Sequence, residues 1–209
     1  MKKLILLIVA VSFLSEAHAQ FGVRMGTNIA TLHYPEEPFY LEIKSIIGFN
    51  IGALYEMQLS DNFSLQGELH FIQKGAKEVD PDFDEEYWLR LNYIDFAIMS
   101  KYVLLNIEES IRLYLGVTPY LGYALSAKIG EEYEGRTFTD SIDFEEENVK
   151  RLDFGIGFGL GLTRNNWFLD VRYNIGFQDL DESGEFDFFP LFGQSVYNRG
   201  ILIGIGYQF

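Results

Sequence analysis

The chain has 209 residues, no cysteine and a formal net charge of −15, from 16 basic and 31 acidic side chains. Without cysteine, neither a disulfide framework nor a cysteine-linked lipid anchor is available. The acidic balance argues against nucleic acid as a partner, because such binding depends on Lys and Arg contacts to phosphate.

The N-terminus has the pattern of a secretory signal peptide. Two lysines precede an apolar run from Leu4 to Leu14, which is followed by the small-x-small cleavage site Ala17-His18-Ala19. We therefore expect a cleaved signal peptide at residues 1–19 and one mature domain at residues 20–209. The mature part has no apolar run long enough for a membrane helix, which leaves a soluble β-protein or a closed membrane barrel.

Eight segments with two-residue alternation follow the signal peptide, and the connections between them are alternately long and short. In chain order the segments are about Phe21 to Leu32, Ser45 to Leu59, Phe63 to Gly75, Trp88 to Leu104, Ile111 to Ala127, two in the hairpin Arg151 to Asp179, and Asn198 to Phe209. Each is long enough to cross the hydrocarbon as a tilted strand. The pattern predicts an all-β fold, an eight-stranded antiparallel up-and-down transmembrane β-barrel with periplasmic termini and long external loops.

The hairpin Arg151 to Asp179 indicates which face points outward. Phe154, Ile156 and Phe158 share one parity, and glycines with a few charges occupy the other. A narrow, side-chain-filled lumen would suit the glycine-rich face, and lipid would suit the apolar face. The main rival is a soluble lipocalin-like barrel with its apolar face inside, but glycine is a poor residue for an exposed strand face.

The predicted lumen carries equal numbers of acidic and basic side chains. We expect these residues to form ion pairs and hydrogen bonds that fill the interior, since an unpaired buried charge is costly. The alternative is a narrow channel for small solutes or ions. The ten residues are Arg24, Glu56, Glu68, Lys74, Asp95, Lys101, Arg112, Asp153, Asp170 and Arg172.

The excess negative charge falls in the predicted external loops. A solvated surface is the simpler interpretation, and divalent-cation binding at Asp80, Asp82 and Asp84 is a weak alternative, because the spacing does not fit an EF-hand. The last loop adds an aromatic group that would suit either an envelope protein partner or a plug over the barrel mouth: Phe186, Phe188, Phe189, Leu191 and Phe192.

Several short motifs resemble the small outer-membrane β-barrel proteins of Bacteroidetes, the PorT-like or porin-family barrels. They are Gln73-Lys74-Gly75, Tyr93-Ile94-Asp95-Phe96, Asp153-Phe154-Gly155, Arg172-Tyr173 and the closing Gly204-Ile205-Gly206-Tyr207-Gln208-Phe209. The resemblance implies placement in the outer membrane, in contact with its lipid. It also implies that Tyr207 and Phe209 belong to the signal read by the outer-membrane insertion machinery.

The sequence gives little support for catalysis. Only His33 and His70 remain as histidines after the signal peptide, and no Ser, His and acid set converges on one level. No cofactor or metal site is predicted. We expect a structural or accessory subunit of the envelope, with a narrow channel as the alternative and a lipid-modifying barrel enzyme as a more distant one.

Overall fold

The computed structural model describes residues 19–35, 42–80, 85–108, 110–133, 136–145, 149–181 and 195–209. Within them lie the strands β1 (Ala19–His33), β2 (Glu42–Ser60), β3 (Phe63–Asp80), β4 (Glu85–Glu108), β5 (Ile111–Tyr133), β6 (Arg136–Ile142), β7 (Leu152–Arg164), β8 (Trp167–Gly176) and β9 (Tyr197–Gln208). No described helix has the length and apolar character to cross a membrane.

Eight of these strands form a closed antiparallel ring. Successive strands pair from β1 to β5, then β5 pairs with β7, and the ring closes where β9 pairs with β1. The first part of β5, Ile111 to Tyr123, pairs with β7, whereas its last part, Ala127 to Tyr133, pairs with β6. The predicted eight-stranded up-and-down barrel is therefore confirmed. The ninth strand, β6, lies outside the ring and pairs with the last part of β5.

The apolar parity points outward around the ring. Phe154 is 45% exposed and its neighbour Asp153 is 0% exposed, and on the next strand Val171 is 46% exposed beside Arg172 at 1%. A soluble lipocalin-like barrel would show the opposite arrangement. Large apolar side chains cover the outside of every ring strand, including Phe21, Met25, Ile47, Ile51, Leu69, Phe96, Leu121, Leu160, Leu169 and Ile205.

Two segments that the sequence analysis assigned to loops are largely strand. The connection from Ala76 to Tyr87 consists mostly of the continuing β3 and the start of β4, and the connection from Lys128 to Lys150 contains the end of β5 and all of β6. Their acidic side chains hid the strand pattern, because a strand that rises above the membrane no longer needs an apolar outer face. The loop prediction was wrong for these parts of the chain.

The rising part of the barrel has an apolar interior. Alternation in β4 continues without a break through Leu89, Leu91 and Tyr93, which are all buried inward, while Arg90 and Asn92 point outward. The strand therefore rises above the bilayer, and the irregular pairing with β5 near Asn92 does not change the parity of β4. These inward residues belong to a hydrophobic cluster that also contains Leu32, Tyr34, Ile72, Ala76, Ala124, Ala127, Ile129, Ile142, Phe144, Val149, Leu180, Val196 and Leu202.

The opposite end of the barrel has tight turns. Residues Asp61 and Asn62 join β2 to β3, and Asn165 and Asn166 join β7 to β8. Asn165 has φ of 53°, a left-handed conformation that asparagine tolerates better than most residues. We call this end the turn end, and the opposite end, where β3 to β6 rise, the loop end.

Candidate functional site: the barrel lumen

The lumen contains three ionic layers between the turn end and the loop end. The lower layer is built on Glu56 and Lys101, and the upper layer on Lys74, Asp95 and Asp153. The central layer consists of Arg24, Glu68, Asp170 and Arg172. Nine of the ten residues predicted for the lumen thus lie in ion pairs, and Arg112 is the exception.

The central layer is a closed network of two guanidinium and two carboxylate groups. Arg24 donates to Glu68 Oε2 at 2.8 Å and to Asp170 Oδ1 at 3.0 Å. Arg172 donates to both Glu68 oxygens at 2.7 and 2.8 Å and to Asp170 Oδ2 at 2.6 and 3.1 Å. All four side chains are at most 1% exposed. Equal opposite charges with bidentate bonds compensate one another's desolvation.

Glycines on neighbouring strands make room for this layer. A Cβ at Gly204 would lie 2.4 Å from Arg24 Nη2 and 2.9 Å from Asp170 Oδ1. In the upper layer, a Cβ at Gly122 would lie 2.4 Å from Asp95 Oδ1. The glycine parity of the sequence therefore corresponds to inward positions over which the large charged side chains lie.

The upper layer places one ammonium between two carboxylates. Lys74 Nζ lies 2.9 Å from Asp95 Oδ2 and 2.9 Å from Asp153 Oδ2. The same ammonium lies 4.5 Å from the ring centroids of both Tyr93 and Tyr120, which adds two cation–π contacts. Buried Asn198 completes the layer by donating to Asp153 Oδ2 at 3.0 Å.

The lower layer forms the floor of a vestibule that opens at the turn end. Lys101 donates to Glu56 Oε2 at 2.7 Å, and Ser64 donates to Glu56 Oε1 at 2.5 Å. Gln208 also donates to Glu56 Oε2. The vestibule has a volume of about 690 Å³ and is open to solvent.

Arg112 lines this vestibule instead of pairing with an acid. Its side chain is exposed, and no described acidic side chain lies within ion-pair distance of it. The prediction that its side chain lies on the inward face was correct. The strand begins at Ile111, however, so Arg112 lies at the barrel mouth, where its charge is exposed to solvent. The expectation that Arg112 joins the ion-pair network is therefore wrong.

His70 is buried beside the central layer. Its Nδ1 atom lies 3.6 Å from Glu68 Oε2 and has no hydrogen-bond partner among the described residues. It is sealed from both barrel mouths by the layers above and below.

Above the upper layer, the hydrophobic cluster closes the lumen toward the loop end. A polar pair is embedded in its wall, where the Tyr34 hydroxyl donates to Glu78 Oε1 at 3.5 Å. Burial raises the pKa of the Glu78 carboxyl to about 7, partly offset by this hydrogen bond. Glu78 pairs across strands with Ile43 and Tyr87, above the exposed apolar band.

Sequence analysis missed the neutral members of the layers. Gln66, Tyr120, Asn198 and Gln208 all hydrogen-bond to the ionic groups. Each occupies an inward position of its strand, so parity alone could have identified them. They were absent from the predicted lumen network because that prediction considered only charged side chains.

The acidic residues proposed as weak metal candidates are not brought together in the described part of the chain. Asp82 and Asp84 lie outside the described residues, as does the aromatic group from Phe186 to Phe192, and Asp80 is placed only as the last residue of β3. The described residues contain no group of three or more His, Cys, Asp or Glu side chains that could hold a metal ion.

The two residues assigned to the assembly signal lie at the turn end. The Tyr207 and Phe209 rings are 5.4 Å apart edge to face, and the Phe209 amide donates to the Phe21 carbonyl at 2.8 Å. Phe209 is 72% exposed on the outside of the barrel. The C-terminus therefore completes the seam where β9 meets β1.

The chain is similar to solved structures of three bacterial outer-membrane proteins. The attachment invasion locus protein Ail of Yersinia pestis is 16% identical, with a TM-score of 0.44 over 91% of this chain and 99% of that chain. Neisserial surface protein A is 13% identical, with a TM-score of 0.47 over 91% and 99%. OprG of Pseudomonas aeruginosa is 10% identical, with a TM-score of 0.47 over 92% and 97%.

No curated protein matches the sequence. A family model described as the outer membrane protein beta-barrel domain matches residues 15–182, most of the chain. This match agrees with the closed ring, the exposed apolar band and the enclosed ionic layers. The chain therefore belongs to the outer membrane protein beta-barrel domain family and lies in the outer membrane.

Proposed function

We propose that this protein is a non-conducting outer-membrane scaffold that presents the raised strands β3 to β6 to a partner in the envelope or outside the cell. The turn end is periplasmic in this proposal, because barrels of this class keep tight turns on that side. In this proposal residues 1–19 are the cleaved signal peptide, and the protein belongs to the PorT-like barrels of Bacteroidetes, whose short motifs its own resemble.

The closed lumen is the observation that carries the proposal. Three ionic layers and an apolar cluster lie in series along the barrel axis, and the central layer is fully buried. An ion crossing this path would have to break the bidentate bonds of Arg172 and then enter an apolar region, each step costing several kcal/mol. A narrow channel, the alternative, is therefore disfavoured.

The raised strands support an interaction role. Among the described residues β6 pairs only with β5, so its other edge keeps unpaired backbone donors and acceptors. Phe138, at its centre, is 61% exposed. An exposed edge of this kind can accept an additional strand from a partner.

The first experiment is conductance of the refolded full chain in planar bilayers. We expect no unitary conductance beyond that of a bilayer without protein, with heat-modifiable gel migration as proof that the barrel has folded. Stable single-channel steps from the folded protein would overturn the scaffold proposal in favour of the channel.

The second experiment places a photo-crosslinking amino acid at position 138 in cells. The matched control replaces Phe96, another exposed aromatic residue, which lies within the lipid-facing band at 52% exposure. We expect a discrete protein adduct from position 138 and none from position 96. Equal labelling at the two positions, or none at position 138, would remove the edge strand as the interaction surface.

A barrel enzyme remains the third candidate, and the proposal excludes it. His70, the inward histidine, is buried, and its Nδ1 atom lies 3.6 Å from Glu68 Oε2. Lipid turnover by the folded protein would refute the scaffold proposal, and loss of that turnover in His70→Gln would assign it to this histidine.

A further inference from the structure

A polar ladder on the outer surface marks the level at which the apolar band ends. Gln73 on β3 donates to Asn92 Oδ1 on β4 at 3.0 Å, and Asn92 donates to Ser126 Oγ on β5 at 2.9 Å. Below this ladder the same face carries Phe71 and Ile94, and above it the first charged side chains appear. The change from apolar to polar and charged side chains on the outer face marks the end of the apolar band, where the headgroup level begins.

Directly above the ladder, like charges lie opposite each other across two strand pairs. Arg90 on β4 is the cross-strand partner of Lys128 on β5, and Lys44 on β2 is the partner of Lys77 on β3. Like charges at such positions destabilise a sheet unless an anion lies near them. We call these four residues the basic patch. It is unexpected on a chain whose net charge is −15.

The two pairs differ in what neutralises them. Lys44 lies 3.3 Å from Glu42, and Lys77 forms an ion pair with Glu86. Among the described side chains, Arg90 and Lys128 have no acidic partner, and the Arg90 Nε atom is buried without a hydrogen-bond partner. The buried Arg90 Nε–H therefore carries an uncompensated desolvation cost, and no described acidic side chain neutralises this pair.

An aromatic side chain completes the arrangement. The Arg90 guanidinium lies over the Trp88 ring at 5.5 Å, and Trp88 packs on Gly130 of β5. Tryptophan beside a basic residue is typical of side chains that sit among lipid headgroups. Leu125, 51% exposed, lies on the same strand below Lys128, where an acyl chain would lie.

We propose that Arg90 and Lys128 bind a phosphate monoester on a glycolipid of the outer leaflet, with its acyl chains against the apolar face below. The charge selects this class, because a phosphate monoester carries about −1.5 to −2 at neutral pH, which matches the two unpaired cations. A phosphodiester headgroup carries a single negative charge and would leave one of them uncompensated. The inference rests on the orientation given under Proposed function, with the loop end outside.

The test uses the refolded full chain with Trp167→Phe, so that Trp88 alone reports by fluorescence. The protein has two tryptophans, and Trp167 lies at the turn end. Vesicles of phosphatidylcholine are compared with vesicles that also contain bis-phosphorylated lipid A, dephosphorylated lipid A or phosphatidylglycerol. We expect a saturable change in Trp88 emission with bis-phosphorylated lipid A alone.

Three single-charge variants then locate the site. Arg90→Gln and Lys128→Gln should each weaken the apparent affinity about tenfold, the effect of losing one charge-assisted hydrogen bond. Arg164→Gln removes the same charge at the turn end and should leave the affinity unchanged. Heat-modifiable migration of each variant confirms folding, and Lys128→Gln, at an exposed site, provides a second reading if Arg90→Gln fails to fold.

Two results would overturn the proposal. Equal weakening by Arg164→Gln would mean diffuse charge attraction, and equal binding of dephosphorylated lipid A or phosphatidylglycerol would mean that no phosphate monoester is recognised. Neither result bears on the closed lumen, which the conductance experiment tests separately. Conductance by the protein with lipid binding intact would refute the scaffold function and leave the lipid site in place.

Discussion

Replacing Arg172 with methionine tests whether the central layer holds the barrel together. The change removes the four hydrogen bonds that Arg172 makes to Glu68 and Asp170, and leaves Arg24 alone facing two buried carboxylates. Loss of one partner from a buried ion pair costs about 3–5 kcal/mol, because the remaining charge is desolvated and uncompensated. We expect Arg172→Met to lower the free energy of unfolding by that amount.

The matched double variant Arg172→Met/Glu68→Gln restores charge balance. It leaves Arg24 paired with Asp170, whose atoms lie 3.0 Å apart. We expect it to recover about 1–3 kcal/mol of the loss, the coupling typical of residues in one network. The assay is urea unfolding in phospholipid vesicles, followed by tryptophan fluorescence and by heat-modifiable gel migration.

A loss below about 1 kcal/mol for Arg172→Met would refute this reasoning, since it would mean that water reaches the layer and screens the carboxylates. A double variant less stable than the single one would also refute it. That result would show that Glu68 stabilises the barrel through contacts other than its two arginines.

Three further predictions concern other parts of the molecule. Gly204→Ala should cost about 1–3 kcal/mol, because its Cβ would collide with the central layer, whereas Gly67→Ala, whose Cβ meets only one atom at 4.0 Å, should be close to neutral in the same urea assay. The pKa of Glu78 is raised to about 7 in the folded protein, so stability should fall by roughly 1–3 kcal/mol as the pH rises from about 4.5 through 7; Glu78→Gln should abolish this slope, and an unchanged slope would assign it to other groups. Phe209→Ala should reduce insertion into the outer membrane in cells while leaving the refolded barrel within about 1 kcal/mol of the parent, because the ring lies exposed at the end of β9; normal insertion would contradict its role as an assembly signal.

The fold could be predicted because a transmembrane strand must satisfy two environments at once. Along the hairpin from Arg151 to Asp179, lipid requires an apolar outer face and the narrow lumen requires glycine or paired charges, so alternation in sequence reports the position of every side chain. The same reasoning placed Arg24, Glu68 and Arg172 in the lumen. Parity could not say which acid each arginine contacts, since that depends on which strands face each other across the closed ring.

The raised strands could not be predicted from the same pattern. Outside the bilayer the outer face meets water and the inner face packs on the hydrophobic cluster. Leu89 and Leu91 therefore point inward, whereas within the bilayer the inward positions of the strands carry charged residues. The rule that assigns apolar residues to the outside reverses within β4. Residues such as Glu131 and Asp140 therefore indicated a loop where the backbone forms β5 and β6.

The sequence by itself determined the barrel class, the number of membrane strands and the direction of each side chain within the bilayer, because these follow from local alternation and from the different chemistry of lipid and lumen. Only the tertiary structure decided the three-layer pairing, the solvent-exposed position of Arg112, the apolar closure at the loop end and the meeting of Arg90 with Lys128. Each of these depends on contacts between strands that are distant in sequence, and strand register, which alternation leaves open, determines those contacts.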